Sequence, residues 1–278
     1  MWRIRTLDFT GIMFNIAEVI GTIAFAVSGA MIAIDRGLDL FGVVFLAITT
    51  ALGGGTIRDI FLGHFPPRMF YSYQYLLISA VCAFGVFALT YFRRTRNLSK
   101  RSVFLKYVNI FDAIGLGIFS VIGVQVTVAA GYGDNAFLCI FLGMTTGCGG
   151  GIVRDLLSRE TPYVLKKHIY AIASIIGSGI FYLMQMLPVE DAVEILLGAG
   201  STILIRMLAT HYKWNLPKIT NGMMQESEPI QTNSIAQRSE GVPDKEEQPI
   251  NSSILTGEAA VTSEVMVTKD AMGTSDRY

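Results

Sequence analysis

The string GGGTIRD at Gly53–Asp59 returns as GGGIVRD at Gly149–Asp155, 96 residues later. Each copy lies inside a long apolar stretch, where neither three consecutive glycines nor an Arg-Asp pair is favourable. Glycine in a helix interior costs roughly 1 kcal/mol relative to alanine. An ionisable side chain at mid-membrane costs about 2.5–3.5 kcal/mol on insertion scales. A chain that carries this double cost at one place in each of two similar segments is built on an internal duplication.

The repeat runs beyond the motif. AEVIGTIAFAVSG (Ala17–Gly29) aligns with FDAIGLGIFSVIG (Phe111–Gly123) at an offset of 94, pairing Glu18 with Asp112, Gly21 with Gly115, Phe25 with Phe119 and Gly29 with Gly123. The offset reaches 96 at the glycine motif and keeps that value at Pro66 and Pro162. Tandem duplication is the economical explanation.

Hydrophobic residues make up 51% of the chain and charged residues 16%, with a mean hydropathy of +0.48. Soluble domains carry about 25% charged residues, so the composition points to a polytopic membrane protein. A spanning helix needs about 20 mostly apolar residues. Seven stretches qualify: Met13–Ile34, Leu40–Leu62, Tyr73–Phe92, Val108–Ala130, Ala136–Leu157, Ile169–Leu187 and Ala192–Thr210. The first exceeds a signal-peptide core in length, contains Glu18 and is matched by the fourth, so it reads as a span.

The expected fold is therefore an all-α membrane protein with seven transmembrane helices, two inverted three-helix repeats plus a seventh helix. Residues 1–107 hold the first repeat, its N-terminal segment and a cytoplasmic loop; 108–191 hold the second repeat; 192–212 form the seventh helix. An odd number of spans per repeat turns the second copy upside down, an architecture of transporters and channels. Arg93, Arg94, Arg96, Lys100, Arg101 and Lys106 follow span three, and Arg159, Lys166 and Lys167 follow span five. The positive-inside rule makes their side cytoplasmic, which puts the C-terminus inside, the N-terminus outside and the protein in the plasma membrane. Residues 213–278 carry 6 Lys/Arg against 10 Asp/Glu, with many Ser, Thr and Gln. Such a tail cannot bury enough apolar surface to order itself, and a disordered cytoplasmic tail is expected.

Gly53, Gly54, Gly55, Gly149, Gly150 and Gly151 have two readings. Glycine runs permit a helix break, tolerable in a bundle only where the freed backbone faces protein or water. That reading, preferred here, makes them kinks lining an ion or substrate pathway; close helix packing is the other. Gly21, Gly29, Gly115 and Gly123 read as packing glycines. Arg58, Asp59, Arg154 and Asp155 fall at opposite mouths of an inverted bundle, either as charged latches or as a structural network. Neighbours on a helix point about 100° apart, so a direct bridge within each Arg-Asp pair is not required. Glu18 and Asp112 are possible pathway acids, or partners of Arg58, Arg154 or Arg206. Tyr71, Tyr73 and Tyr75 read as an interfacial aromatic belt.

No metal site, cofactor or enzyme activity is expected. The three cysteines and three histidines have no ligand spacing, no glycine run continues into a Lys-Ser/Thr pair, and nothing suggests nucleic acid.

Seven spans and a doubled GGG-x-x-R-D motif resemble the bacterial TRIC-like (trimeric intracellular cation channel) family, whose domain is also labelled a glycine transporter domain. The resemblance covers roughly residues 13–210. It implies a homotrimer with one pore per protomer, bends at Gly53–Gly55 and Gly149–Gly151, and passive passage of K⁺ or Na⁺. Secondary transport of a small amino acid such as glycine is the alternative. The expected partners are thus the lipid bilayer, two further copies of the chain, and monovalent cations or a small amino acid.

Overall fold

The computed structural model describes residues 7–93, 101–166 and 169–212. The expected tail disorder and residues 94–100 of the basic connection after the third helix, with Lys167 and the N-terminal arginines, lie outside the described residues. Seven long helices carry the described chain: α1 (Leu7–Asp35), α2 (Leu40–Phe61), α3 (Tyr73–Arg93), α4 (Arg101–Thr127), α5 (Ala136–Leu157), α6 (Ile169–Met184) and α7 (Asp191–His211). No strand occurs among the described residues. Six helices are long and apolar enough to cross a membrane. The exception is α6, whose 16 residues rise only ~24 Å at 1.5 Å each. It ends at Met184, short of the expected Leu187, where the chain turns ahead of Pro188.

A second difference concerns α4. The sequence placed residues up to Tyr107 in a connection and began the second repeat at Val108, but the helix already starts at Arg101. The added turns, RSVFLKY, set Val103, Phe104, Leu105 and Tyr107 between and beside Arg101 and Lys106. The apolar span itself therefore begins at Phe104, and arginine and lysine, good helix formers, extend the helix ahead of it. The boundary between 107 and 108 therefore falls inside α4.

The duplication is visible in local structure. Asp39 caps α2 by accepting from the Gly42 N–H (2.8 Å), and Asn135 caps α5 from the Leu138 N–H (3.0 Å). These side chains satisfy donors that a helix start leaves open. Both helices end in one device, with left-handed Gly63 (φ 71°) and Arg159 (φ 57°). His64 N–H then returns to the Asp59 carbonyl and Glu160 N–H to the Asp155 carbonyl, the pattern of a Schellman stop.

Four helices form the centre: α2 packs on α5, and α1 on α4. α3 covers α1 and α2, α6 covers α5 and α4, and α7 lies on α6 and α4. The central contacts are reciprocal. A Cβ on Gly54 would come within 2.0 Å of the Thr146 carbonyl oxygen, and one on Gly150 within 2.0 Å of the Thr50 carbonyl oxygen. Gly149 faces the Gly54 Cα, while Phe61 near the end of α2 meets Phe141 near the start of α5. Rising numbers on one helix thus meet falling numbers on the other, so α2 and α5 run antiparallel. Phe25 stacks on its own counterpart Phe119, with centroids 5.3 Å apart. Gly29 and Gly123 each sit against a threonine hydroxyl, of Thr50 and Thr146 respectively. Those hydroxyls bond back to Leu46 and Leu142, both at 2.6 Å.

This geometry gives the glycines a packing role at the crossing. Both α2 and α5 stay helical through their three-glycine runs, without a break. Gly54, Gly149 and Gly150 lie where two backbones cross, and small residues allow that approach. Gly53 and Gly55 are roomier: a Cβ there would meet nothing closer than 3.6 and 3.7 Å. The packing reading holds for Gly21, Gly29, Gly115 and Gly123, where a Cβ would come within 2.3–2.9 Å of the opposing helix.

Candidate functional site

The two Arg-Asp pairs lie near the C-terminal ends of antiparallel helices, and so at opposite ends of the bundle. Within each pair the residues bridge directly, which the helical angle alone does not require. Arg58 Nε and Nη2 donate to Asp59 Oδ1 at 3.0 and 2.7 Å. Arg154 Nε and Nη2 donate to Asp155 Oδ1 at 2.9 and 2.8 Å. The arginine side chain is long enough to curl across the angle between neighbours, and its fork suits a carboxylate. The second aspartate oxygen is also used. Asp59 Oδ2 accepts from the Arg68 backbone N–H (2.9 Å), Asp155 Oδ2 from that of Tyr163 (2.8 Å). Each motif aspartate therefore ties its arginine to the segment entering the next helix.

Beyond this shared unit the two ends diverge. At the Arg154 end, Nη1 donates to Asp112 Oδ1 (2.6 Å) and to Ser28 Oγ (2.7 Å). Four hydrogen bonds and two carboxylates thus surround a guanidinium with no exposed surface. The guanidinium carbon lies 5.9 Å from the Tyr163 ring centre, and burial pushes the Tyr163 phenol pKa above its ordinary value. A buried charge persists only when paired and hydrogen-bonded, and this one is closed on every side.

At the Arg58 end no ion pair joins Arg58 to Glu18 among the described residues. Glu18 instead accepts from the Tyr75 hydroxyl at 2.8 Å. Glu18, Arg58, Asp59 and Tyr75 border an open cleft, with Gly55, Thr22 and Phe119 in its walls. Gly55 leaves room beside the Arg58 guanidinium. This is a polar cleft with a half-buried carboxylate at its lip.

The candidate residues therefore fall into two groups, and the acids separate: Asp112 joins Arg154, whereas Glu18 joins no arginine among the described residues. Arg206 is buried, its guanidinium 4.7 Å from the Tyr170 ring centre. Four site residues were missed by sequence reasoning: Ser28, Tyr75, Tyr163 and Tyr170. Tyr71 and Tyr73 are exposed, as an aromatic belt requires, but Tyr75 is 7% exposed and points inward. The signal that would have found it is a longer repeat alignment. Tyr75 lies seven residues after Arg68, and Tyr170 seven after Tyr163, counting from the two N–H groups that bind the motif aspartates.

The described residues define an all-helical integral membrane protein with a polar centre at each end of one helix bundle. The family model described as Glycine transporter matches residues 15–91 and again 109–186, and the chain belongs to this family, the TRIC-like family. A UPF0126 membrane protein of Vibrio cholerae serotype O1 is 40% identical over 207 residues, covering 74% of this chain and 82% of that protein. The UPF0126 inner membrane protein YadS of Escherichia coli K12 is 37% identical over 203 residues, 72% of this chain and 93% of its own. Among solved structures, a prokaryotic TRIC channel in 0.5 M KCl has a TM-score of 0.66 at 33% identity, covering 74% of this chain and 100% of its own. The TRIC trimeric intracellular cation channel orthologue from Rhodobacter sphaeroides has a TM-score of 0.64 at 29% identity, covering 73% and 99%.

Proposed function

We propose that this protein is a passive monovalent-cation channel, assembled as a homotrimer with one pathway through each protomer. The observation that carries the reading is its likeness, at 33% identity over the whole of the neighbour, to a prokaryotic TRIC channel in KCl. The geometry supports it. The Arg58 end offers a cleft lined by Glu18, Asp59, Arg58 and Arg68, and Gly55 keeps its wall clear. Among the described residues Glu18 is there an acid held by a tyrosine and not by an arginine. The Arg154 end is tied shut by Asp112, Ser28 and Asp155. A pathway following the α2–α5 crossing therefore has one open and one closed mouth in this conformation.

In this reading the two repeats are inverted in the bilayer, with seven spans, the N-terminus outside and the C-terminus cytoplasmic. The antiparallel α2–α5 pair and its reciprocal contacts favour the inversion. The Arg58 cleft then faces outward. Reporter fusions at Tyr132 and Asn97 report outside and inside respectively; the same side for both overturns the arrangement.

The deciding experiment uses purified protein in liposomes, with K⁺ flux and radiolabelled glycine uptake measured side by side. A channel conducts K⁺ without a co-substrate. Saturable glycine uptake with counterflow, and no K⁺ flux, would establish a transporter instead.

A further inference from the structure

The two halves hold equivalent carboxylate–tyrosine pairs, and only one of them is closed. Glu18 aligns with Asp112, and Tyr75 with Tyr170, each tyrosine seven residues past the N–H that binds its motif aspartate. Tyr75 reaches Glu18 directly at 2.8 Å. In the other half the acid is one methylene shorter. Asp112 spends Oδ1 on Arg154, while its Oδ2 and the Tyr170 hydroxyl are both buried without a protein partner. Asp112 is 2% exposed and Tyr170 1%. A third buried atom without a partner, Arg206 Nε, belongs to the guanidinium that covers the Tyr170 ring.

A Cβ on Gly151 would come 2.8 Å from the Tyr170 hydroxyl and 3.8 Å from Arg154 Nη2, so that hydroxyl lies beside the guanidinium that Asp112 holds. An acceptor, a hydroxyl and an N–H donor grouped there call for a small guest able to both donate and accept. Buried polar groups are rarely left unpaired, and a buried water characteristically makes two to four such bonds. Charge selects among guests. Arg154 and Arg206 offset Asp112 and Asp155, so the cluster carries no formal net charge and favours a neutral guest.

We propose that this half carries a built-in hydration site: one water that donates to Asp112 Oδ2 and accepts from Tyr170 or Arg206. It replaces the missing methylene and completes a carboxylate–water–tyrosine bridge, the counterpart of the direct Glu18–Tyr75 bond. This proposal stands on side-chain geometry and does not depend on the transported species.

The test is an experimental structure of the full chain in lipid nanodiscs, at a resolution that shows ordered water, for the wild type and for Asp112→Glu, Tyr170→Phe and Tyr75→Phe. The wild type should show one density peak within hydrogen-bond distance of Asp112 Oδ2 and Tyr170 Oη. Asp112→Glu should lose the peak, with the lengthened carboxylate bonded to Tyr170. Tyr170→Phe should lose or displace it at nearly constant volume, and Tyr75→Phe should keep it. A direct Asp112–Tyr170 bond in the wild type overturns the proposal, as does a dry gap. A peak that is replaced by Rb⁺, seen through anomalous scattering, overturns it in favour of an ion site. If Asp112→Glu does not fold, the wild-type peak and the two tyrosine variants still decide the matter.

Discussion

The Arg58 and Arg154 centres share a seven-residue motif and a common core of bonds, yet one borders an open cleft and the other is sealed. What they share is local: the arginine curls onto its neighbouring aspartate, and the aspartate binds an N–H a few residues on. What separates them comes from other helices. Ser28 on α1 meets Arg154, whereas its counterpart on α4 under the 94-residue offset is the apolar Ile122. Asp112 reaches Arg154, whereas Glu18 turns to Tyr75. α7 supplies Arg206 over Tyr170 and has no partner helix in the duplication. Duplication thus preserved the hinge of each centre while divergence of three neighbours set which one is closed.

The largest effect should come from removing the arginines. Arg154→Met leaves Asp112 and Asp155 buried without their cation, and breaking a buried pair costs about 3–5 kcal/mol. Arg58→Met strands one carboxylate, which keeps its Arg68 N–H and borders the cleft. Melting temperature in detergent should fall far more for Arg154→Met, to the point of poor recovery. Equal losses would erase the distinction between a sealed and an open centre.

Next in size is a change that should treat the halves alike. Gly54→Ala and Gly150→Ala each drive a methyl to within 2.0 Å of a backbone carbonyl oxygen. Overpacking costs about 1–3 kcal/mol and at times more, and a carbonyl on a packed helix yields less than a side-chain tip. Both variants should lose stability by similar amounts. Gly53→Ala and Gly55→Ala, whose methyls would make only ordinary van der Waals contacts, should melt near the wild type, and Gly55→Ala should reduce K⁺ flux by narrowing the cleft. Unequal losses for Gly54 and Gly150 would show that the central crossing is less symmetric than its contacts.

How far was this legible beforehand? The duplication, the apolar helices and the pairing of Glu18 with Asp112 could be read from one-dimensional spacing, because repeats and hydrophobic runs are properties of the chain itself. α4 begins earlier than expected because Arg101 and Lys106 break up an apolar run that already includes Phe104, Leu105 and Tyr107. The role of Gly54 and Gly150 stayed hidden because a glycine run permits both a break and a close crossing, and only the opposing carbonyls of Thr146 and Thr50 decide between them. Ser28 and Tyr75 were missed for a related reason. Neither is unusual in its own helix, and each matters through a partner 126 or 57 residues away. The split between Glu18 and Asp112 rests on a single methylene, which alignment treats as a conservative difference.

The acids themselves give a smaller contrast. Glu18→Gln keeps an acceptor for Tyr75 and removes charge at the lip of the cleft, so flux should drop several-fold with little change in melting temperature. Asp112→Asn weakens a charge-assisted bond to Arg154, of the kind worth about 1.5–3 kcal/mol, and should lower stability first. Parallel flux and melting measurements separate the two, and a stability loss for Glu18→Gln would make that acid part of the scaffold.

The smallest effect tests single hydrogen bonds. Tyr75→Phe removes the donor to Glu18 and little else, while Ser28→Ala removes one of four acceptor contacts of Arg154. Side-chain hydrogen bonds inside membrane proteins average about 0.6 kcal/mol, because the unfolded chain also finds partners in the bilayer. On that average alone the two variants should be indistinguishable. Their surroundings differ, however. Glu18 at the cleft can take a water in place of Tyr75, so Tyr75→Phe should stay within the average. Arg154 has no exposed surface from which to recruit one, so Ser28→Ala leaves a charged donor short of a partner and should cost more. Losing a bond to a buried charge sets an upper bound of about 3 kcal/mol. Denaturation of both variants in the same detergent gives the order directly. If Tyr75→Phe is the more damaging, the Arg58 centre is the drier of the two and the contrast between the ends must be reversed.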